Sequence, residues 1–234
     1  LFRYLRKIRP GHQKVGKQRL AFEAPYAGNL YQTDIMYGPD VKIKLANGRM
    51  SNKQTYLLAI LDDHSRLICH GEFFLTQDIM IYLSVLEKSI RKRGIPDKIY
   101  CDNGKVFLSS QITRIGAEIG TRIVHTKVRD AAAKGKIERF FRTVRDQFLE
   151  LAEVDKVNTL SALNTRFFSW VEAYNHRRHS SLGCSPMEKW LRSPHTPRLL
   201  KEGHKTDDLF LLEVTRLVKK DGTFSLHAKR FETN

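Results

Sequence analysis

In this chain of 234 residues Lys and Arg outnumber Asp and Glu by 41 to 25, a formal net charge of +16 that points to a polyanion partner, nucleic acid first. With 41% apolar residues it can bury the core of one large domain, alone or with a small appendage. Cys69, Cys101 and Cys184 form no CxxC pair, which argues against zinc and against a disulfide framework and fits a reducing cytosol. No stretch approaches the ~20 apolar residues of a membrane span, and no signal peptide is visible.

Residues 1–20 hold seven Lys or Arg and no acid, so residues 1–27 read as a basic arm or linker able to lie along phosphates. Because the chain opens at Leu1 rather than Met, it reads as a piece of a longer protein. A strand is expected over 30–37, with Asp34 inside it. Gly38-Pro39-Asp40 and Asn47-Gly48 mark 38–53 as a hairpin or loop insertion. Two apolar runs, 55–61 and 67–75, flank an Asp62-Asp63-His64-Ser65 turn, giving a three-stranded antiparallel start. Apolar residues at 79, 83, 86 and 90 have helical spacing; Thr76 or Asp78 caps the start, and Gly94 with Pro96 stops the helix. A strand follows over 98–101, a helix capped by Ser109 or Ser110 and ending near Gly120, and a short strand over 121–125. Asp130 can cap a long helix from about 131, and a further helix spans about 159–174. The order βββ-α-β-α-β-α-α describes a mixed sheet with helices packed on it. Pro194, Pro197 and Gly203 make 194–208 a linker, and 209–226 turns strand-like with Asp221-Gly222 as a hairpin turn.

The stretch "KIYCDNGKVF" places Asp102 at the tip of a buried strand. Asp102-Asn103-Gly104 also reads as a plain turn. If the strands of Asp34 and Asp102 are neighbours, the two carboxylates meet at one edge. In "AAAKGKIERFF", the residues Ile137, Phe140, Phe141, Val144 and Phe148 form one apolar stripe, with Lys134, Glu138 and Arg145 on a line flanking it. Glu138 then stands at the boundary of core and solvent, although pairing to Lys134 or Arg142 would explain it equally. Three converging carboxylates suit hard divalent cations, and two such ions can activate a nucleophile and stabilise a leaving oxygen of a phosphodiester.

With 35 residues between Asp102 and Glu138, and Asn103-Gly104 and Phe107 beside the second Asp, the chain resembles the DDE transposase and retroviral-type integrase superfamily. Thr33-Asp34, "LLAILDDHSR", "CDNGKVF" and "KGKIERFFRTVR" carry the resemblance, over about residues 28–192. "YNHRRHSSLGCSPMEKW" resembles the segment that closes the core in bacterial insertion-sequence transposases. No His-His-Cys-Cys zinc module is present, so a bacterial transposase is favoured over a retroviral integrase.

The resemblance implies an α/β fold: a ribonuclease-H-like mixed five-stranded sheet flanked by helices. A core over 28–193, a linker over 194–208 and the start of a small C-terminal β-barrel over 209–234 follow from it. Asp34, Asp102 and Glu138 are implied as the catalytic, metal-binding triad, with Asn103 and Gly104 supporting the site. The implied cofactors are two Mg²⁺ or Mn²⁺ ions per site. The implied reaction is cleavage at a transposon end by water, then in-line attack of the freed 3′-OH on target DNA. DNA contacts are expected from Lys134, Lys136, Arg142, Arg145, Arg177 and Arg178, whereas Arg139 is left to local pairing. The expected partners are transposon-end and target DNA, a second copy of the chain on DNA, and an accessory transposition protein; no membrane is involved. A cytoplasmic, nucleoid-associated bacterial protein is the matching location. Two other readings share these residues: a retroelement integrase of the same chemistry, and a domesticated, inactive DNA-binding protein.

Asp62 and Asp63 are read as turn residues, Asp62 capping with Ser65 and Arg66 nearby. His125 is read as structural or substrate-facing, since these ions prefer oxygen. His176 and His179 bracket two arginines and suit phosphate contact or helix-end solvation equally. Trp170 and Trp190 are read as packing aromatics.

Overall fold

The computed structural model describes residues 22–102, 104, 107, 109–125, 131–195, 197–200, 208–211, 214–226 and 229–233. Three antiparallel strands open the fold: β1 (Leu30–Lys44), β2 (Met50–Asp62) and β3 (Ile68–Phe74). Then come α1 (Ile79–Arg93), β4 (Lys98–Cys101), α2 (Ser110–Ile119) and β5 (Arg122–His125). Helix α3 (Ala131–Thr143) runs through a π-helical turn (Val144–Leu149) into α4 (Glu150–Val154). Helices α5 (Leu160–His176) and α6 (Pro186–Leu191) follow, and then a ribbon of β6 (Thr223–Leu226) and β7 (Lys229–Glu232). The sheet order is β3-β2-β1-β4-β5, with β4 parallel to both of its neighbours. This is the mixed five-stranded sheet expected from the sequence.

The apolar run of β2 serves two cores. Leu58 and Ile60 face α1 and α2 with Tyr82, Leu86 and Ile112, whereas Leu57, Ala59 and Leu61 face α3 and α5 with Ile137, Phe140 and Phe167. Both faces are covered, so the strand reads as continuously apolar rather than alternating. The local stop signals act as expected. The Asp78 carboxylate accepts from the Ile81 N–H at 3.1 Å, and Gly94 ends α1 at a φ of 87°. Gly38-Pro39 does not end β1. The pairing shifts register between Tyr37 and Asp40 and continues to a turn at Asn47-Gly48, where Gly48 has a φ of 80°. A Cβ on Gly38 would come within 2.7 Å of the Phe73 ring, so only glycine lets the shifted strand pass.

Strand β3 lies at the edge of the sheet, and α5 closes it with two asparagines. Asn164 accepts from the Phe73 N–H at 2.7 Å and donates to its carbonyl at 2.9 Å. Asn175, fully buried, does the same at Ile68, at 2.9 and 3.1 Å. Each amide stands in for a residue of a neighbouring strand and leaves that part of the edge unable to recruit another chain.

The ends of the fold differ from expectation. Residues 24–27 belong to the core rather than to an arm: Ala24 and Ala27 are buried, and the Ala24 N–H donates to Asp63 Oδ2 at 2.7 Å. The described part of the expected linker is docked too. The Ile95 N–H donates to the Arg198 carbonyl at 2.6 Å, and the Arg198 guanidinium donates to the carbonyls of Ile119 (2.9 Å) and Gly120 (3.0 Å). A cation thus satisfies the open carbonyls at the end of α2. Leu209 and Phe210 form no strand: both bury their side chains in the α1/α2 core, where apolar area leaves water without a strand partner. Asp221-Gly222 does turn the chain, but into β6, whose partner β7 lies beyond it. The described residues hold a two-stranded ribbon here, and the start of a barrel is not confirmed. No helix among the described residues is long and apolar enough to cross a membrane.

Candidate active site

Strands β1 and β4 are neighbours, in parallel register Gln32↔Tyr100. Carried on by two residues, that register sets Asp34 beside Asp102. Both acids follow the pleat onto the face shared by Gln32 and Met36, the face that α3 covers.

Asp34 is mostly buried. One carboxylate oxygen accepts from the Ile35 N–H at 3.0 Å and lies 3.1 Å from Lys134 Nζ. Burial raises its pKa above the ordinary carboxylate value; Lys134 and the Ile35 N–H pull it back down, and Asp102 pushes it up. Asp102 is held just past the end of β4. The Gly104 N–H donates to its Oδ1 at 2.8 Å, and His125 Nδ1 donates to its carbonyl at 3.3 Å. A Cβ on Gly104 would sit 2.8 Å from that same Oδ1, so any larger residue here would push the Asp102 carboxylate aside. His125 therefore supports the backbone of the site, as its reading as a structural residue anticipates. Cys101, next to Asp102 in the chain and buried in the α1/α2 core, has its thiol pushed up to about 12, by burial first and then by Asp102.

Lys134 projects from the first turns of α3 into the gap between the two acids, with Nζ 3.1 Å from Asp34 and 3.7 Å from Asp102. Only 8% of this residue is exposed. Asp63 is fully buried, and a buried carboxylate needs partners. It accepts from Gln32 Nε2 at 2.7 Å, from the Ala24 N–H and from Lys136 Nζ. Gln32 also accepts from the Ile137 N–H at 3.3 Å, so this network pins α3 to the sheet beside Asp34. Burial lowers the Lys136 pKa, and Asp63 opposes that shift. Asp62 caps its turn as expected, accepting from the Ser65 N–H at 2.8 Å and the Ser65 hydroxyl at 2.6 Å, and it further takes the Gly28 N–H at 2.9 Å.

The stripe from Ile137 to Phe148 is buried as its spacing predicts. Glu138 is exposed at its edge, in a shallow groove of about 390 Å³ with Ile35, Met36, Tyr37 and Arg145. Among the described residues Glu138 has no ion-pair partner, so the i±4 pairing is not what holds it. The structure thus brings Asp34 and Asp102 together and sets Glu138 next to the strand that carries Asp34. Among the described residues no group of three His, Cys, Asp or Glu is close enough to hold a metal ion jointly. Asp34 and Asp102 fit a divalent cation in donor type: both are hard oxygen ligands, and they already share one cationic group. Asn103 lies outside the described residues.

Of the expected DNA contacts, Arg142, Arg145, Arg177 and Arg178 are exposed. Arg177 lies over the rings of Trp170 and Tyr174, at 5.8 and 5.5 Å, and donates to Gln147.

Residues 80–153, from α1 through α4, match the family model described as the TnsB C-terminal domain. The chain is 28% identical over 190 residues to the transposase for transposon Tn552 of Staphylococcus aureus, covering 71% of this chain and 39% of that protein. It is 25% identical over 181 residues to the transposase for insertion sequence IS1202 of Streptococcus pneumoniae, covering 70% of this chain and 36% of that one. By sequence the chain is thus similar to transposases over 70–71% of its length. The HTLV-2 integrase catalytic core domain, solved in complex with magnesium, superposes with a TM-score of 0.56 at 14% identity, over 70% of this chain and 97% of that one. The sheet and its helices therefore have the ribonuclease-H-like architecture of integrase cores. The chain spans well under half the length of the two transposases.

Proposed function

We propose that this chain carries the catalytic core of a DNA transposase: a polynucleotidyl transferase that cuts at transposon ends and joins the freed 3′-OH to target DNA. One observation supports it above the others. Asp34, on β1, and Asp102, just past the end of the adjacent β4, are far apart in sequence yet share a single cation at one edge of an integrase-like sheet. Asp34, Asp102 and Glu138 would hold the two divalent ions, Mg²⁺ or Mn²⁺. When bound, such ions lower the pKa of an attacking water or hydroxyl and stabilise the departing oxygen.

The chain's own residues supply the frame. The Gly104 N–H and His125 fix Asp102; the Asp63–Lys136–Gln32 network fixes α3, and with it Glu138. Lys134 compensates the facing acids. Arg142 of α3 and Arg145 of the π-helical turn, both exposed, would hold the strand near Glu138. In the first step water attacks the phosphodiester, the P–O bond to the 3′ oxygen breaks, and a 3′-OH and a 5′-phosphate result. In the second, that 3′ oxygen loses its proton to solvent and forms a bond to a target phosphorus, while the target's own 3′ oxygen leaves and takes up a proton from solvent to become a new 3′-OH. Joining two ends requires more than one copy on DNA.

The test is metal-dependent nicking and strand transfer by Asp34→Asn, Asp102→Asn and Glu138→Gln. Each should lose the chemistry and keep DNA binding. Full activity in any one of them with Mg²⁺ overturns the assignment of that residue, and full activity in all three overturns the reading.

A further inference from the structure

A second charged site lies round α3 from the acids. A cleft of about 570 Å³ is bounded by α3, by Gln147 of the π-helical turn, by Tyr174 of α5 and by the segment that follows it. Its charged lining is Arg66, Lys136, Arg139, Arg177 and Arg178, with His179 among them and no Asp or Glu. At about 100° per residue, Gly135, Lys136, Arg139, Thr143 and Gln147 centre about 130° round the helix from Glu138. The cleft is therefore not part of the groove that Glu138 and Arg145 line.

Two of the five cations are already answered. Lys136 is held by Asp63, and Arg66 donates to the Asp63 carbonyl and faces Glu23 at 3.5 Å. Among the described residues Arg177 has only Gln147 and two aromatic rings. Among the described residues Arg139 and Arg178 have no ion-pair partner. His179 feels the imbalance: burial, then Arg66, Arg139 and Arg177 in that order, push its pKa below the ordinary imidazole value. Its Nδ1 lies 3.0 Å from Ser181 Oγ, and Ser180 and Ser181 add hydroxyl donors at the rim. Guanidinium groups without carboxylates, beside serines, form a site for phosphate oxygens. The aromatic walls do not invite a base. Tyr174 is buried under Arg177, and Lys136 lies over Phe22 at 5.8 Å, so a backbone phosphate fits better than a nucleotide.

We propose that this cleft binds a backbone phosphate of a DNA segment other than the one that meets Asp34 and Asp102. The inference rests on the reading of the chain as a DNA-acting core. It gives Arg139 and Arg178 one task, and it places two DNA segments on opposite sides of α3.

The experiment has two readouts, neither of which needs catalysis. The first is the imidazole titration of His179 by NMR in the chain alone, with a short duplex and with inorganic phosphate. The duplex should raise the His179 pKa, because a nearby anion favours the protonated ring. The second is the salt dependence of duplex binding for the parent, Arg139→Gln, Arg178→Gln and the charge-keeping Arg139→Lys and Arg178→Lys. Each Gln variant should lower the slope of log K against log salt by roughly one, and each Lys variant should keep it. Both arginines are exposed, so the Gln variants should melt with the parent. Inorganic phosphate that shifts His179 while the Gln variants leave the duplex slope unchanged marks a small-anion site and overturns the proposal. So does a duplex that leaves His179 unmoved. A chain that shows both effects but never nicks DNA overturns the catalytic reading alone. One that nicks with unchanged slopes overturns this inference alone.

Discussion

Replacing Lys134 by Met removes the ammonium between Asp34 and Asp102 and keeps most of the side chain's volume. Breaking a fully buried ion pair from one side costs about 3–5 kcal/mol, and an exposed pair contributes about 0–1 kcal/mol. The Lys134–Asp34 contact lies between these limits, since the side chains are 10% and 20% exposed. The contact to Asp102 is longer, at 3.7 Å, and that side chain is 40% exposed, so solvent screens most of its share. The pair as a whole is then worth about 2 kcal/mol. Two outcomes follow from one number. Without divalent cation, Lys134→Met should melt about 4–8 °C lower than the parent, at about 2–4 °C per kcal/mol for a chain of this size. A divalent ion that binds the parent must first displace the ammonium, at the same cost of about 2 kcal/mol; in Lys134→Met it need not, so the apparent affinity should rise about 30-fold. Titration calorimetry with Mn²⁺, and melting curves across a Mg²⁺ series, measure both. Lys134→Arg keeps the charge and should bind the ion as weakly as the parent. A Lys134→Met chain that binds Mn²⁺ no more tightly than the parent refutes the competition between ammonium and metal.

Two further perturbations test the frame. Asn175→Leu strips both partners from the Ile68 N–H and carbonyl inside the core, at about 1–3 kcal/mol each; a melting temperature about 4–24 °C lower is expected, and a change below about 2 °C would show that α5 does not hold this edge. Gly104→Ala puts a methyl group 2.8 Å from Asp102 Oδ1 and should push the carboxylate away, reducing Mn²⁺ affinity and nicking by about tenfold or more with little loss of stability; unchanged metal affinity would show that Asp102 does not depend on this turn.

Local signals carried much of the fold into the sequence, and their reach explains the rest. Helix α1 is bounded by a carboxylate cap at Asp78 and a left-handed glycine at Gly94, both effects of immediate neighbours, and β4 covers the very residues its apolar run marks. Such signals say that Leu209 and Phe210 must leave water. They do not say what will cover them, so a strand was expected where a plug is found. The asparagines that close β3 carry no local mark at all: their partners are 91 and 107 positions away. The same limit governs the charges of the site. Residues 127–145 hold seven Lys or Arg, and spacing alone presents them as one basic line. Helical geometry does place Lys134 beside Glu138. Only the pairing of β1 with β4 shows that Lys134 points at two acids, and only the burial of Asp63 shows that Lys136 is spent inside. Lys127 and Arg129 lie outside the described residues, so along described α3 and the π-helical turn the exposed cations are Arg139, Arg142 and Arg145. Arg142 and Arg145 turn toward the Glu138 side, and Arg139 turns toward the cleft. A basic stretch that looks uniform in sequence is thus divided by folding into a cation that compensates the acids, a cation that anchors the helix, and arginines that face two directions.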